Sequence, residues 1–335
     1  MIEKALEEMA YIHMKRMIKK RPLDINIETV SFCPMKCVFC CNRFYKKEYT
    51  VMDNTLFEKI VEEYYRMGGG TIAIGSMQSD LFSDPLFMDR MRIIKKYKKR
   101  LWLYSTTTLI TCMKYSDKEL LYILRLFDYL QISIEGYNRE TYQQLAGVDG
   151  FDVLGEQLKR VKRLIKDNSL TVRIEVYFRT YDKPGLLKSD FYKKVRHMFY
   201  IQEVKDTFFS RCGVIEEEDL PEGAKIGYSY NQGKRINCII PNATLSVQAN
   251  GKALGCACID WLEKYPIGDC KKSTLREIWT SDKAVKFRNA FERGKLPPIC
   301  KECGLYLPVN TCLKSKELLW YQSINGLYFL QTRLR

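Results

Sequence analysis

Histidine is nearly absent from this sequence, with two in 335 residues. His13 and His197 stand far apart and share no ligand spacing, which argues against a histidine metal site or a His-centred catalytic triad. No run of 18 apolar residues occurs, so no membrane-spanning helix is expected. The opening MIEKALEEMAYIHMKRMIKKRP is charged and shows no apolar stretch beside a small-residue cleavage site. No signal peptide is therefore expected, and the chain is assigned to the cytoplasm. No internal repeat is visible. With 46% hydrophobic residues, a disordered or fibrous class is excluded and a sizeable core is expected.

What is abundant is cysteine and positive charge. The thirteen cysteines are odd in number and tightly clustered, which points to thiolate ligands in a reducing compartment rather than to a disulfide scaffold. The formal charge is +15. Lys and Arg are spread along helix-like segments such as RIIKKYKKR (92–100) and LKRVKRLIK (158–166), so no specific nucleic-acid partner is expected. A basic rim that docks an acidic electron donor suits the charge equally well.

The chain alternates strand and helix six times. Strand patterns fall at 23–30, 71–76, 101–107, 129–136, 171–180 and 201–208, with amphipathic helices between them. This predicts an α/β fold, a partial (β/α)6 TIM-like barrel, whose chemistry gathers at the C-terminal ends of the strands. Beyond residue 212 turn formers multiply, and ATLSVQANGKAL reads as a hairpin about Asn250–Gly251. The expected division is an N-terminal helix over 1–22, the barrel over 23–212 and a small α+β domain over 213–335. Ser273 or Thr274 is the candidate cap of a helix in the last part.

Directly after the first strand comes Cys33–Pro–Met–Lys–Cys37–Val–Phe–Cys40. Three thiolates on one tight loop can hold three irons of a cubane and leave the fourth open to a small molecule. The alternative is a zinc site completed by Cys41, with awkward geometry. CxxxCxxC in this place resembles the radical S-adenosylmethionine superfamily, and Phe39 before the last cysteine fits it. The resemblance implies a 4Fe–4S cluster on Cys33, Cys37 and Cys40, reductive cleavage of S-adenosylmethionine and hydrogen-atom abstraction by the resulting radical. It also implies cofactor contacts at Phe39, Ser76, Asp80, Ser105, Thr107, Ser133, Glu135 and Arg179. The usual Gly-Gly-Glu-like turn is missing from IGSMQSDLFSDP (74–85), which leaves Asp80 or backbone carbonyls as candidates for the amino-group contact.

A second set, Cys238, Cys256, Cys300 and Cys303, with Gly251 before Cys256 and IGDCKKSTLREIWTSDK between, resembles the twitch domain, the short relative of the SPASM domain. It implies an auxiliary 4Fe–4S cluster, two clusters in all. Cys258, Cys270 and Cys312 are either buried small side chains or ligands of a further cluster. Cys212, and more weakly Cys112, are candidate hydrogen-atom donors. The resemblance leads to a two-electron oxidation of a small molecule or sugar in natural-product biosynthesis. Radical epimerisation, oxidation or crosslinking of a peptide, and a non-catalytic iron–sulfur protein are the alternatives. About 22 residues precede the first strand, too few for a peptide-precursor recognition domain. A flavodoxin- or ferredoxin-like electron donor is implied as partner.

Overall fold

A computed structural model describes residues 16–45, 47–75, 79–227, 238–256, 260–291, 294–301 and 303–308. Six strands, β1 (Asp24–Ile27), β2 (Gly70–Ile74), β3 (Leu101–Thr107), β4 (Tyr129–Glu135), β5 (Arg173–Arg179) and β6 (Tyr200–Lys205), run parallel in sequential order. After helical residues 16–20 (α1), the crossovers contain α2 (Asn54–Arg66), α3 (Phe87–Tyr97), α4 (Asp117–Leu126), α5 (Arg139–Ala146), α6 (Phe151–Asp167), α7 (Lys183–Lys188) and α8 (Asp190–Met198). The result is the partial barrel expected from the strand–helix rhythm.

Each helix forms for a local reason. Asp53 caps α2 by accepting from Leu56 N at 2.8 Å. That helix buries Leu56, Phe57, Ile60, Val61 and Tyr64, the spacing of one helical face. In α6 Leu154, Leu158, Val161 and Leu164 do the same. Fully buried Arg90 of α3 joins Asp84, Asn54 and the Met52 carbonyl, and its guanidinium lies 4.9 Å over the Phe57 ring. A buried ion pair survives only when its hydrogen bonds are filled in this way.

Strand alternation separates two faces. Ile25, Ile27, Ile72, Ile74, Leu103, Leu130, Ile132, Val176 and Phe178 enter the main core beneath the helices. The opposite, concave face is polar and aromatic. There Thr71, Tyr104 and Thr244 each donate to Asp24, beside a cluster of Ala73, Tyr104 and Tyr129 with Trp102 packed on it.

The hairpin does not stand apart from the barrel. Strand β9 (Thr244–Val247) pairs parallel with β1, and β10 (Lys252–Leu254) and β11 (Pro266–Asp269) extend the same sheet. The open edge of β1 is thereby covered, and the sheet reaches nine strands. A small pair, β7 (Thr207–Phe208) with β8 (Lys225–Ile226), lies apart from it. The turn does fall at Asn250–Gly251, with Gly251 at φ 89°. Thr274, not Ser273, caps α10 (Leu275–Thr280) in a reciprocal box with Glu277. Trp279 of that helix is 1% exposed and donates to Ile18 O at 2.8 Å, tying α10 to α1. Helices α9 (Ile239–Ala243), α11 (Asp282–Asn289) and α12 (Pro298–Lys301) complete the described elements. None of the described helices is long and apolar enough to cross a membrane.

Candidate functional site

The CxxxCxxC loop leaves β1 and lies against the end of α5. Lys36 N and Val38 N donate to Ala146 O and Leu145 O, each at 3.0 Å. The approach is tight: a Cβ on Gly147, itself at φ 69°, would meet Lys36 O at 2.4 Å. Glycine is required there on both counts. Cys33, Cys37 and Cys40 face one another closely enough for their charges to interact. Burial pushes the Cys33 thiol up to about 12 and Cys37 well above the usual thiol value. Cys40 goes the other way, downward, because Cys41 hydrogen-bonds to it, helped by Arg211 and Arg179. Among the described residues no three His, Cys, Asp or Glu side chains converge on a single metal ion.

Beside this loop the concave face presents a connected polar group. Ser133 donates to Glu135 Oε1 at 2.6 Å, and Arg179 reaches both Ser133 Oγ and, at 3.5 Å, Glu135 Oε1. The Arg179 guanidinium lies 5.1 Å over the Phe39 ring and 4.6 Å over Tyr177. Phe39 in turn stacks on Phe208 at 5.2 Å. Burial raises the Glu135 pKa against the pull of Arg179, and Glu135 Oε2 carries no hydrogen bond. Phe39, Ser133, Glu135 and Arg179 therefore do meet at the cysteine loop. A carboxylate oxygen without a partner beside a guanidinium and three thiols fits a ligand with both donor and acceptor groups.

Asp80 stands beside Cys33, to which its backbone N–H donates, whereas the two β3 residues fall elsewhere. Ser105 and Thr107 occupy the opposite register from Tyr104 and Thr106, facing the helices. Ser105 Oγ donates to Ile74 O at 2.5 Å. Thr107 donates to Asp80 Oδ1 at 2.9 Å. Asp80 also accepts from Thr108 N, Thr108 Oγ1, Phe82 N and Thr111 Oγ1. Its acceptor sites are thus filled by Phe82 of the turn it caps and by residues 107–111. Ser76 lies outside the described residues. Residues of the concave face that the sequence reading passed over are Thr106, which reaches Gln131 at 3.2 Å, and, beside Cys40, Arg211. Strict strand parity would have selected Thr106 over its neighbours; no sequence signal singled out Arg211.

The second site has a different character. Cys238, Cys256, Cys300 and Cys303 are each buried to 6% exposure or less. They line one apolar cavity with Ile240, Pro241, Phe291 and Tyr306. Cys238 precedes α9, Cys256 follows β10, Cys300 sits on α12, and Leu305 N approaches Cys303 Sγ at 3.3 Å. No disulfide involves the described cysteines. Four soft thiols in an apolar shell suit iron–sulfur ligation. Cys270 is apart, fully buried, with its carbonyl accepting from Lys59. Cys258 and Cys312 lie outside the described residues. Cys212 stands in a left-handed turn, φ 63°, and its thiol donates to Ile299 O at 3.1 Å, the residue before Cys300. Cys112 is fully buried against Gln157 of α6, with Sγ to Oε1 at 3.4 Å.

The radical SAM superfamily matches residues 27–183, and the SPASM iron–sulfur cluster-binding domain matches 238–304. No curated protein matches in sequence. Among solved structures, BtrN in complex with AdoMet and 2-DOIA is 19% identical, with 83% of this chain and 91% of that chain covered at TM-score 0.53. Streptococcus suis SuiB bound to its precursor peptide SuiA is 14% identical, covering 89% and 74% at 0.58. Native anSMEcpe with bound AdoMet is 15% identical, covering 94% and 100% at 0.56. At these identities the likeness is one of fold. Domains of these two families bind S-adenosylmethionine and iron–sulfur clusters through cysteines. With both models matched in order, and the cysteines of each gathered as described, the chain belongs to the radical S-adenosylmethionine superfamily and carries a SPASM/twitch-type auxiliary cluster domain.

Proposed function

We propose that the protein oxidises a small hydroxylated molecule by two electrons after abstracting a hydrogen atom from it. Cys33, Cys37 and Cys40 would hold the 4Fe–4S cluster that cleaves S-adenosylmethionine. Cys238, Cys256, Cys300 and Cys303 would hold a second one. When bound, the first group supplies an electron to the cofactor and so the abstracting radical; the second offers an acceptor for the electron left on the substrate. Glu135, Ser133 and Arg179 would orient the cofactor, Arg179 pairing with its carboxylate, while Phe39 shields the loop from water. An external donor of flavodoxin or ferredoxin type would supply the reducing electron.

The observation that carries this reading is the four-thiol apolar cavity, because net oxidation needs an electron acceptor that redox-neutral chemistry does not. The test is product analysis with Cys300→Ala and Cys303→Ala, each reconstituted without oxygen. Loss of oxidised product with S-adenosylmethionine cleavage retained is expected; unchanged product would refute the acceptor role.

A second reading is epimerisation with Cys212 as hydrogen donor. It draws on the Cys212 turn, where Arg211, Cys212 and Gly213 all have positive φ. Such a backbone conformation is costly for non-glycine residues and is retained where the fold demands it. Solvent deuterium at one carbon of the product would favour this reading over oxidation.

A further inference from the structure

Beside the cysteine loop, α5 carries a buried hydrogen-bond donor with nothing to donate to. Tyr142 is 1% exposed, and its hydroxyl has no hydrogen-bond partner. Leaving a buried hydroxyl unpaired is costly, so its surroundings matter. Tyr142, Leu145 and Ala146 are all buried, at the spacing that places side chains on one helical face. The carbonyls of Leu145 and Ala146 seat the cysteine loop through Val38 N and Lys36 N. The same turn of helix thus holds the loop and places the phenol.

The phenol shares its space with the ligand sulfurs. Burial, then the charges of Glu135, Cys37, Asp80 and Cys33, push its pKa well above the usual phenol value, so it stays a neutral donor. Glu135 is also the strongest charge acting on Cys37, which puts the three side chains in one buried group. Glu135 Oε2 is itself unpaired, so phenol and carboxylate do not satisfy each other. The three sulfurs differ in what they receive. Cys33 accepts from the N–H groups of Met35 and Asp80, and Cys40 from Cys41 and the Asn42 N–H. Cys37 is governed instead by burial and by the charges of Glu135, Cys40, Cys33 and Arg179. Of the two sulfurs that act on Tyr142, Cys37 acts more strongly.

We propose that Tyr142 donates a hydrogen bond to the Cys37 sulfur when the loop holds its cluster, and that this bond makes the cluster easier to reduce. Reduction adds negative charge that the sulfurs share. A donor to sulfur therefore favours the reduced form and raises the potential. Phenylalanine at 142 removes this bond and keeps the ring, with its packing on Phe151 at 5.9 Å between centroids. The proposal rests on the reading of Cys33, Cys37 and Cys40 as cluster ligands, and it names a residue that sets the potential of that cluster.

The test is a potentiometric titration of the reconstituted full chain, read by electron paramagnetic resonance, in the wild type, Tyr142→Phe and Phe151→Leu. The loop cluster is the signal that added S-adenosylmethionine perturbs, and the cavity cluster is the internal reference. Tyr142→Phe should lower the one-electron reduction equilibrium of the loop cluster about tenfold, about 59 mV. The cavity cluster should not shift, nor should either cluster in Phe151→Leu. Affinity for S-adenosylmethionine, by equilibrium dialysis, should stay within about twofold. An unchanged or raised potential, or the same fall in Phe151→Leu, would overturn the proposal. Weakened cofactor binding at an unchanged potential would also overturn it and assign the hydroxyl to the cofactor. Loss of loop iron from Tyr142→Phe alone would support the contact; loss from both variants would assign Tyr142 to packing and overturn it. A wild type that holds no iron on the loop removes the ligand reading and the proposal together. Loop iron with a potential indifferent to Tyr142→Phe removes the proposal alone.

Discussion

The two cysteine sites differ in what surrounds the sulfur. The loop site has three thiols and, on its open side, Arg179, Glu135 and Ser133. The cavity site has four thiols and an otherwise apolar lining of Ile240, Pro241, Phe291 and Tyr306. A missing fourth thiol matters only where polar groups stand ready for what replaces it. A complete set in an apolar shell leaves no position for a small molecule and serves electron transfer instead. The contrast comes from local sequence: the loop is set down at the polar mouth of a parallel barrel, and the cavity is assembled from four separated segments around one core.

The largest expected effect is at the loop. Cys33→Ala, Cys37→Ala or Cys40→Ala should abolish S-adenosylmethionine cleavage under strong reductant and remove about four irons per chain, read by product chromatography and iron assay. Cleavage that persists would erase the distinction between the sites. Next, Cys300→Ala or Cys303→Ala should remove about four irons as well, leave cleavage in place and stop oxidised product. A variant that loses both clusters would mean the cavity supports the barrel rather than acting on its own.

Arg179→Ala should weaken S-adenosylmethionine binding about ten- to a hundredfold, with Arg179→Lys only partly restoring it, because an ammonium does not match a carboxylate bidentately. Equilibrium dialysis measures this, and equal affinity in the cavity variants is the control. Gly147→Ala should reduce iron retention at the loop and spare the cavity, since the added methyl collides with Lys36 O. Retention of full iron would show that the loop can relax.

The smallest effect concerns the seam that joins the two regions, where Asp24 binds Thr71 on one side and Thr244 on the other. Burial raises the Asp24 pKa from 3.8 to about 7. The folded state therefore holds a proton that the unfolded chain releases above about pH 4. This stabilisation is complete below that pH and is lost as pH rises through 7. Asp24→Asn should flatten the fall in melting temperature between pH 5 and 8 by a few degrees, in a thermal melt series. An unchanged slope would remove Asp24 as the source.

Much of this was legible in the chain. The six-fold rhythm gave the parallel barrel because alternating apolar strands and amphipathic helices have few other solutions. Cysteine spacing singled out the two groups of cysteines that the fold gathers, and Asn250–Gly251 the hairpin. The cofactor side was legible only in part. Ser105 and Thr107 were chosen for lying at a strand end, but the pleat turns them toward the helices, and only alternate residues such as Thr106 face inward. Asp80 was named as a candidate acceptor; it stands beside Cys33, and its carboxylate accepts from Phe82, Thr107, Thr108 and Thr111. The pairing of β9 with β1 brings together residues more than two hundred positions apart, and no local pattern announces it.

The most direct measurement is iron and labile sulfide per chain after anaerobic reconstitution, in the wild type and in Cys33→Ala. About eight irons falling to about four, with sulfide in parallel, is the result expected of two clusters held independently. About four irons in the wild type, falling to none, would leave the four-thiol cavity without a cluster and contradict the proposed acceptor.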